Sequence, residues 1–180
     1  MPVWNIVLSG YPGSGKTKLA QRLVSDNSDF VRLNVDDLRA MYFGTIEPSE
    51  QEDFVYDSLA TLRDVTLGSR RSVVIDSTAP GNEMRDFLLS TRIRNVTRLL
   101  ILMVVEKSVL EDRNRRRHFV GAVDAWDKAW QNPSRNMPVM KFRNSSPAEF
   151  EISYYVLTDL LTSKVHPFKR RFFTHIYPRI

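Results

Sequence analysis

Two hydrophobic rhythms alternate along this chain. Val3 to Leu8 is apolar but for Asn5 and halts at Ser9-Gly10, the pattern of a buried strand entering a glycine turn. From Lys16 to Val24 the apolar positions Leu19, Ala20, Leu23 and Val24 recur at helical spacing. Phe30 to Val35 predicts a second strand, followed by a helix opening near Asp36-Asp37, whose carboxylates suit the positive end of a helix. Glu50 to Leu67, with Phe54, Val55, Leu59 and Leu62 taken as one face, predicts another helix. Ser72 to Ile75 predicts a buried strand that ends on Asp76.

Asn82 to Arg92 then fits a helix, Arg98 to Val105 a buried strand, and Ser108 to about Arg117 a helix capped by Ser108 with Glu111 three residues on. Between Val120 and Ser145 the period is lost, and Trp126, Trp130, Pro133 and Pro138 mark what reads as an irregular, mobile flap. Ser146-Pro147-Ala148-Glu149 is a capping box with proline at the first helical position, opening a last helix to about Leu161. Strands alternating with helices predict an α/β fold, a parallel sheet with helices on both faces. The expected layout is one domain over 1–180, with a lid at about 113–145 and a C-terminal helix and basic, aromatic tail over 146–180.

A length of 180 residues suits one core, and 42% hydrophobic with 26% charged residues is ordinary for a globular protein. The chain has no cysteine, which removes disulfides, thiolate nucleophiles and cysteine-bound metals, and its three histidines have no metal-ligand spacing. No apolar run reaches membrane length and Met1 to Leu8 lacks the features of a secretory signal, so no membrane partner is expected and the location is read as cytoplasmic, the host cytoplasm if the source is a virus. The net charge of +5 is segregated: residues 1–91 carry −4, 92–120 carry +5, 121–162 carry −1 and 163–180 carry +5. Basic patches of this kind suit a polyanion, and equally a solvated helix face and tail.

One motif narrows the chemistry. Gly10-Tyr11-Pro12-Gly13-Ser14-Gly15-Lys16-Thr17 fits G-x-x-x-x-G-K-[ST] between a strand and a helix. Gly13, Ser14 and Gly15 let backbone N–H groups close around phosphates, Lys16 reaches the β/γ oxygens, and Thr17 ligates Mg²⁺. That places the sheet in the P-loop NTPase/kinase fold with ATP and Mg²⁺ as cofactors. On the acceptor side, Asp36 or Asp37 sits at the carboxyl edge of the sheet and can take the proton of an attacking hydroxyl. Arg39, three residues on, could hold an acceptor phosphate or the transferring one. The same spacing also suits two capping aspartates and a surface arginine. Asp76 is read as the second carboxylate of the Mg²⁺ shell, or as a cap for the next helix. Of the arginines at 113, 115, 116 and 117, Arg113 and Arg117 share a helix face and can neutralise charge on the γ-phosphoryl.

In order and spacing, Gly10 to Thr17, Val35-Asp36-Asp37-Leu38-Arg39, Val74-Ile75-Asp76-Ser77-Thr78 and Glu111-Asp112-Arg113-Asn114-Arg115-Arg116-Arg117 resemble the P-loop kinase domain of polynucleotide 5′-hydroxyl kinases of phage and bacterial origin. The resemblance spans roughly residues 3–120. It implies Asp36 as general base, Arg39 on the acceptor's phosphate, and Arg113 and Arg117 as lid arginines on the ATP phosphates. The chain departs from that family at Ala79-Pro80, where an asparagine is frequent, and has no room for the phosphatase or ligase domain of its larger members. The implied activity is ATP-dependent phosphorylation of a hydroxyl on DNA or RNA, at a 5′ end or on the hydroxymethyl group of a modified base. A kinase of a nucleoside, nucleotide or sugar acid, and a nucleic-acid-binding ATPase without kinase activity, share the same core.

Overall fold

The computed structural model describes residues 2–48, 50–119 and 121–163. Its elements follow the order β1 (Val3–Ser9), α1 (Lys16–Asp26), β2 (Phe30–Asn34), α2 (Val35–Phe43), α3 (Glu52–Gly68), β3 (Ser72–Asp76), α4 (Asn82–Leu89), β4 (Val96–Val104), α5 (Lys107–Arg115), α6 (Ala122–Ala129), β5 (Val139–Arg143) and α7 (Pro147–Thr162). The five strands form one sheet in the order β2-β3-β1-β4-β5, every pair parallel. Helices cover both faces, the arrangement of the P-loop NTPase/kinase fold.

The strand period sorts the core. Trp4, Ile6 and Leu8 of β1 face α1 and α7, packing with Leu19, Leu23, Phe142, Phe150 and Leu157. Val3 and Val7 face the other way, toward Val35, Val55, Leu59, Leu67 and Leu88 of α2, α3 and α4. The one polar residue of β1, Asn5, is fully buried and donates from Nδ2 to the carbonyls of Leu88 and Leu89, at 3.1 and 3.0 Å. It satisfies the end of α4, which stops at Leu89 rather than near Arg92 as the sequence suggested.

Other differences from the expected elements have local causes. Within 120–145 the chain folds into α6 and β5, and β5 pairs with β4 from Leu100↔Val139 to Val104↔Arg143. Five residues are too short a run to show a period, yet Phe142 is fully buried against Phe150. Helix α5 starts at Lys107 with Glu106 as N-cap and no side-chain cap, so Ser108 does not have the capping role. On α3 the buried face is Val55, Leu59, Arg63 and Leu67, while Phe54 and Leu62 are exposed. The predicted opening of α7 holds: Ser146 Oγ accepts from the Glu149 N–H at 3.2 Å, and Glu149 Oε2 accepts from the Ser145 N–H at 2.7 Å. The basic, aromatic tail, including the possible edge strand over 171–177, lies outside the described residues.

Candidate active site

The glycine loop leaves β1 at the carboxyl edge of the sheet and enters α1, so the first N–H groups of α1 point back into the loop. Gly13 and Gly15 have φ of 79° and 92°, in the left-handed region that a side chain disfavours. A Cβ on Gly15 would also run into the Asn144 amide. Three successive loop carbonyls are each taken by a side chain from a distant element. Asn114 Nδ2 donates to Pro12 at 2.9 Å, Arg113 to Gly13 at 3.2 Å, and Asn144 Nδ2 to Ser14 at 2.8 Å. These three tethers fix the conformation of the loop, and a glycine loop held in one conformation at a helix N-terminus is the requirement for a polyphosphate seat.

Lys16 is buried at the floor of that seat. Its ammonium donates to the carbonyls of Gly10 and Tyr11, both at 2.9 Å. Burial lowers its pKa to about 8, against the pull of Asp76 and Asp36. Thr17 is exposed in the first turn of α1. Asp76 ends β3 beside Leu8 of β1 and is buried, its Oδ2 accepting from Arg32 at 3.1 and 2.9 Å. A threonine hydroxyl and a carboxylate are hard oxygen donors and fit Mg²⁺.

The two aspartates of α2 separate in role. Asp37 is the one at the cap, its N–H bonding Asn34 Oδ1 at 2.8 Å and its carboxylate pairing with Arg32 at 2.6 Å. Asp36 has a side chain 58% exposed and pairs with Arg39 at 2.6 Å. Partial burial raises its pKa despite Arg39. Arg39 is itself buried and grips Glu52 with a two-pronged pair, Nε to Oε1 at 2.9 Å and Nη2 to Oε2 at 2.6 Å. The structure thus gives the Arg39 guanidinium two carboxylate partners where the sequence suggested an acceptor phosphate. Arg113 is tied to the loop, as described, and also donates to the Asn144 carbonyl at 2.8 Å. Arg117, past the end of α5, is exposed, and its charge helps to lower the pKa of Arg113. Sequence reasoning missed Arg32, Glu52, Asn114 and Asn144. Asn114 at least stands inside the arginine-rich run.

Three comparisons bear on this arrangement. A family model described as an AAA domain, AAA_33, matches residues 6–138. The chain belongs to that AAA-domain family. No curated protein matches it. Among solved structures, this AAA-domain chain is similar to an APS kinase of Mycobacterium tuberculosis, solved with AMPPNP and APS, with a TM-score of 0.66, 18% identity and coverage of 91% of this chain and 100% of that one. It is similar to a gluconokinase of Sinorhizobium meliloti 1021, at a TM-score of 0.59 and 18% identity, with coverage of 92% and 98%. It is also similar to a chain of a Pnkp1/Rnl/Hen1 complex, at a TM-score of 0.57 and 25% identity, over 62% of this chain and 39% of that one. These likenesses establish the P-loop kinase fold. Among the described residues no helix is long and apolar enough to cross a membrane.

Proposed function

We propose that this protein is an ATP-dependent kinase that transfers the γ-phosphoryl to a hydroxyl carried by DNA or RNA. The observation that carries the kinase reading is the meeting, at the carboxyl edge of one sheet, of a glycine loop with a buried lysine, Lys16 after β1, and an exposed carboxylate, Asp36, in the first turn of α2 after β2. When bound, ATP with Mg²⁺ would supply the phosphoryl group and shield its charge; Gly13, Ser14, Gly15 and Lys16 would hold the phosphates, and Thr17 and Asp76 the ion. Asp36 accepts the proton of the acceptor hydroxyl as its oxygen attacks the γ-phosphorus. The bond to the β–γ bridging oxygen breaks and its electrons leave with ADP. Arg39, anchored by Glu52, holds the Asp36 carboxylate in place. Lys16, Arg113 and Arg117 meet the charge that grows on the phosphoryl oxygens.

The acceptor class rests on the basic stretch 92–120, whose Arg115, Arg116 and Arg117 are exposed and directly follow Arg113 and Asn114, the residues that bond the loop. Such a surface suits a phosphate backbone. A small-molecule acceptor is favoured by a different observation, a cavity of about 560 Å³ between α3 and α4 whose lining includes Asp53, Tyr56, Asp57, Glu83 and Gln131. Three carboxylates there repel a polyanion and suit a neutral or cationic alcohol. Labelled ATP offered with 5′-hydroxyl DNA, 5′-hydroxyl RNA, hydroxymethylated DNA, nucleosides and sugars decides between them. Label on a nucleic acid is expected. Label on a small alcohol alone establishes the second reading, and label on none of them overturns both.

A further inference from the structure

Arg85, in α4, is fully buried, and no carboxylate among the described residues pairs with it. Its Nε donates to Ser9 Oγ at 3.1 Å and to the Ala79 carbonyl at 2.8 Å. Nη1 donates to Asn82 Oδ1 at 3.2 Å and to the Gln131 carbonyl at 2.6 Å, while Nη2 is buried without a partner. The Trp130 ring lies over the guanidinium, 4.7 Å from its carbon. Burying a cation without a counter-ion is strongly unfavourable, and a leucine or methionine would fill the same helix face without that penalty. Stability of α4 therefore does not account for the residue.

Its partners do. Ser9 stands one residue before the glycine loop, Ala79 lies in the turn after β3, and Gln131 follows α6. The same three segments meet through their backbones, Gly10 N–H to the Thr78 carbonyl at 3.1 Å and Gln131 N–H to the Pro80 carbonyl at 3.0 Å. Ala79 has φ of 39°, a left-handed conformation strained for a residue with a side chain. Its carbonyl accepts from both Arg85 and Ser9 Oγ, at 2.8 Å each. On the far side, Trp130 stacks on Tyr11 of the loop with ring centroids 4.7 Å apart, and the Tyr11 hydroxyl donates to Asp127 of α6 at 2.7 Å. The guanidinium is the junction of the phosphate loop, the turn beside Asp76 and the end of α6. A planar fork with spread donors can serve all three, whereas the point charge of a lysine cannot.

We propose that Arg85 is a positioning residue for phosphoryl transfer, its buried guanidinium fixing the 77–81 turn and the end of α6 against the entrance of the glycine loop. None of its hydrogen-bond partners is a residue that the proposed transfer uses. The effect on turnover rests on the kinase reading above, and the effect on local order does not.

The test uses Arg85→Lys, which keeps the charge but not the fork, and Trp130→Leu, which removes the other half of the contact from a partly exposed position. Amide exchange is followed with saturating AMP-PNP and Mg²⁺, and transfer is followed on whichever hydroxyl the acceptor panel identifies. In both variants, amides of 77–82 and 130–134 should exchange at least tenfold faster while those of β1 and β3 keep wild-type rates. AMP-PNP affinity and the KM for ATP should stay within threefold, and kcat should fall at least tenfold. Wild-type exchange in these segments overturns the proposal, and so does faster exchange spread evenly over the sheet, which would mark a merely structural role. If Arg85→Lys does not fold, Trp130→Leu alone decides on the same two readouts. If the wild-type protein phosphorylates no hydroxyl, the kinase reading falls and the exchange result still stands or fails by itself.

Discussion

The two sides of the cleft are built from different materials. On the nucleotide side, three consecutive carbonyls, those of Pro12, Gly13 and Ser14, are held by Asn114, Arg113 and Asn144. On the proposed acceptor side the groups are ion pairs among side chains, Arg39 with Asp36 and Glu52, joined to the nucleotide side by Arg32, which pairs with both Asp37 and Asp76. A fixed backbone presents one arrangement of donors, and a change in any tether disturbs all of it. The two pairs with an exposed member, Arg39–Asp36 and Arg32–Asp37, are weakly held and can exchange partners for a ligand, while Arg39–Glu52 and Arg32–Asp76 hold the two guanidiniums in place. The nucleotide side is therefore committed to one chemistry, while the acceptor side can be retuned by substitution.

The largest break in this comparison should come from Lys16→Ala, which removes the charge under the β/γ oxygens and is expected to lower transfer by about a thousandfold or more with the fold retained. Steady-state rates alongside circular dichroism check it, and near-wild-type turnover would dismiss the nucleotide seat. Asp36→Asn keeps size but not basicity, so kcat should fall about a hundredfold with AMP-PNP affinity unchanged. If Asp37→Asn is the damaging change instead, the base has been assigned to the wrong carboxylate. Partial burial raises the Asp36 pKa. Because the ionised form is the active base, the acid limb of kcat/KM should lie above that of an ordinary aspartate, and Asp36→Asn should abolish that limb.

Smaller effects sharpen the contrast. Asn144→Ala frees the Ser14 carbonyl and should weaken AMP-PNP binding by roughly tenfold, about 1.4 kcal/mol, on the scale of one buried hydrogen bond. Calorimetry with the nucleotide analogue measures it. Arg113→Ala and Arg117→Ala should differ in kind: the first loosens the loop and lowers nucleotide affinity as well as kcat, the second lowers kcat alone. Finally, the charged form of Lys16 binds phosphate and its pKa sits at about 8 in the free protein. Nucleotide affinity should then decline above about pH 8, by at most about tenfold per pH unit, and the decline should vanish in Lys16→Ala.

Most of the sheet was legible because its inner strands are continuous apolar runs, and the glycine loop because its chemistry needs a fixed spacing of small residues. Strand β5 was not, since a five-residue edge strand with one fully buried side chain, Phe142, carries too little pattern to register. The face of α3 was misjudged because Phe54 and Leu62 are apolar yet exposed, and Arg63 is polar yet buried. At the candidate site, Lys16 and Thr17 stand in a local motif, whereas Asp36 was separated from Asp37 only by the family resemblance. Asn144 could not be named, because nothing around residue 144 says that it will meet a loop 130 residues earlier in the chain. Arg85 was invisible for the same reason, its partners being supplied by the fold.

The excursion from β4 to β5 leaves the sheet at Val104 and rejoins it at Val139, and those two strands are neighbours in register. Both its ends are thus clamped whatever lies between them. Closing a loop becomes harder only slowly with its length, by about 0.6 kcal/mol for each doubling. Residues can be added between Arg117 and α6 for little loss of stability, provided that Asn114 and Trp130 keep their contacts. For an engineer or a lineage, this is where the chain can grow without rebuilding the sheet.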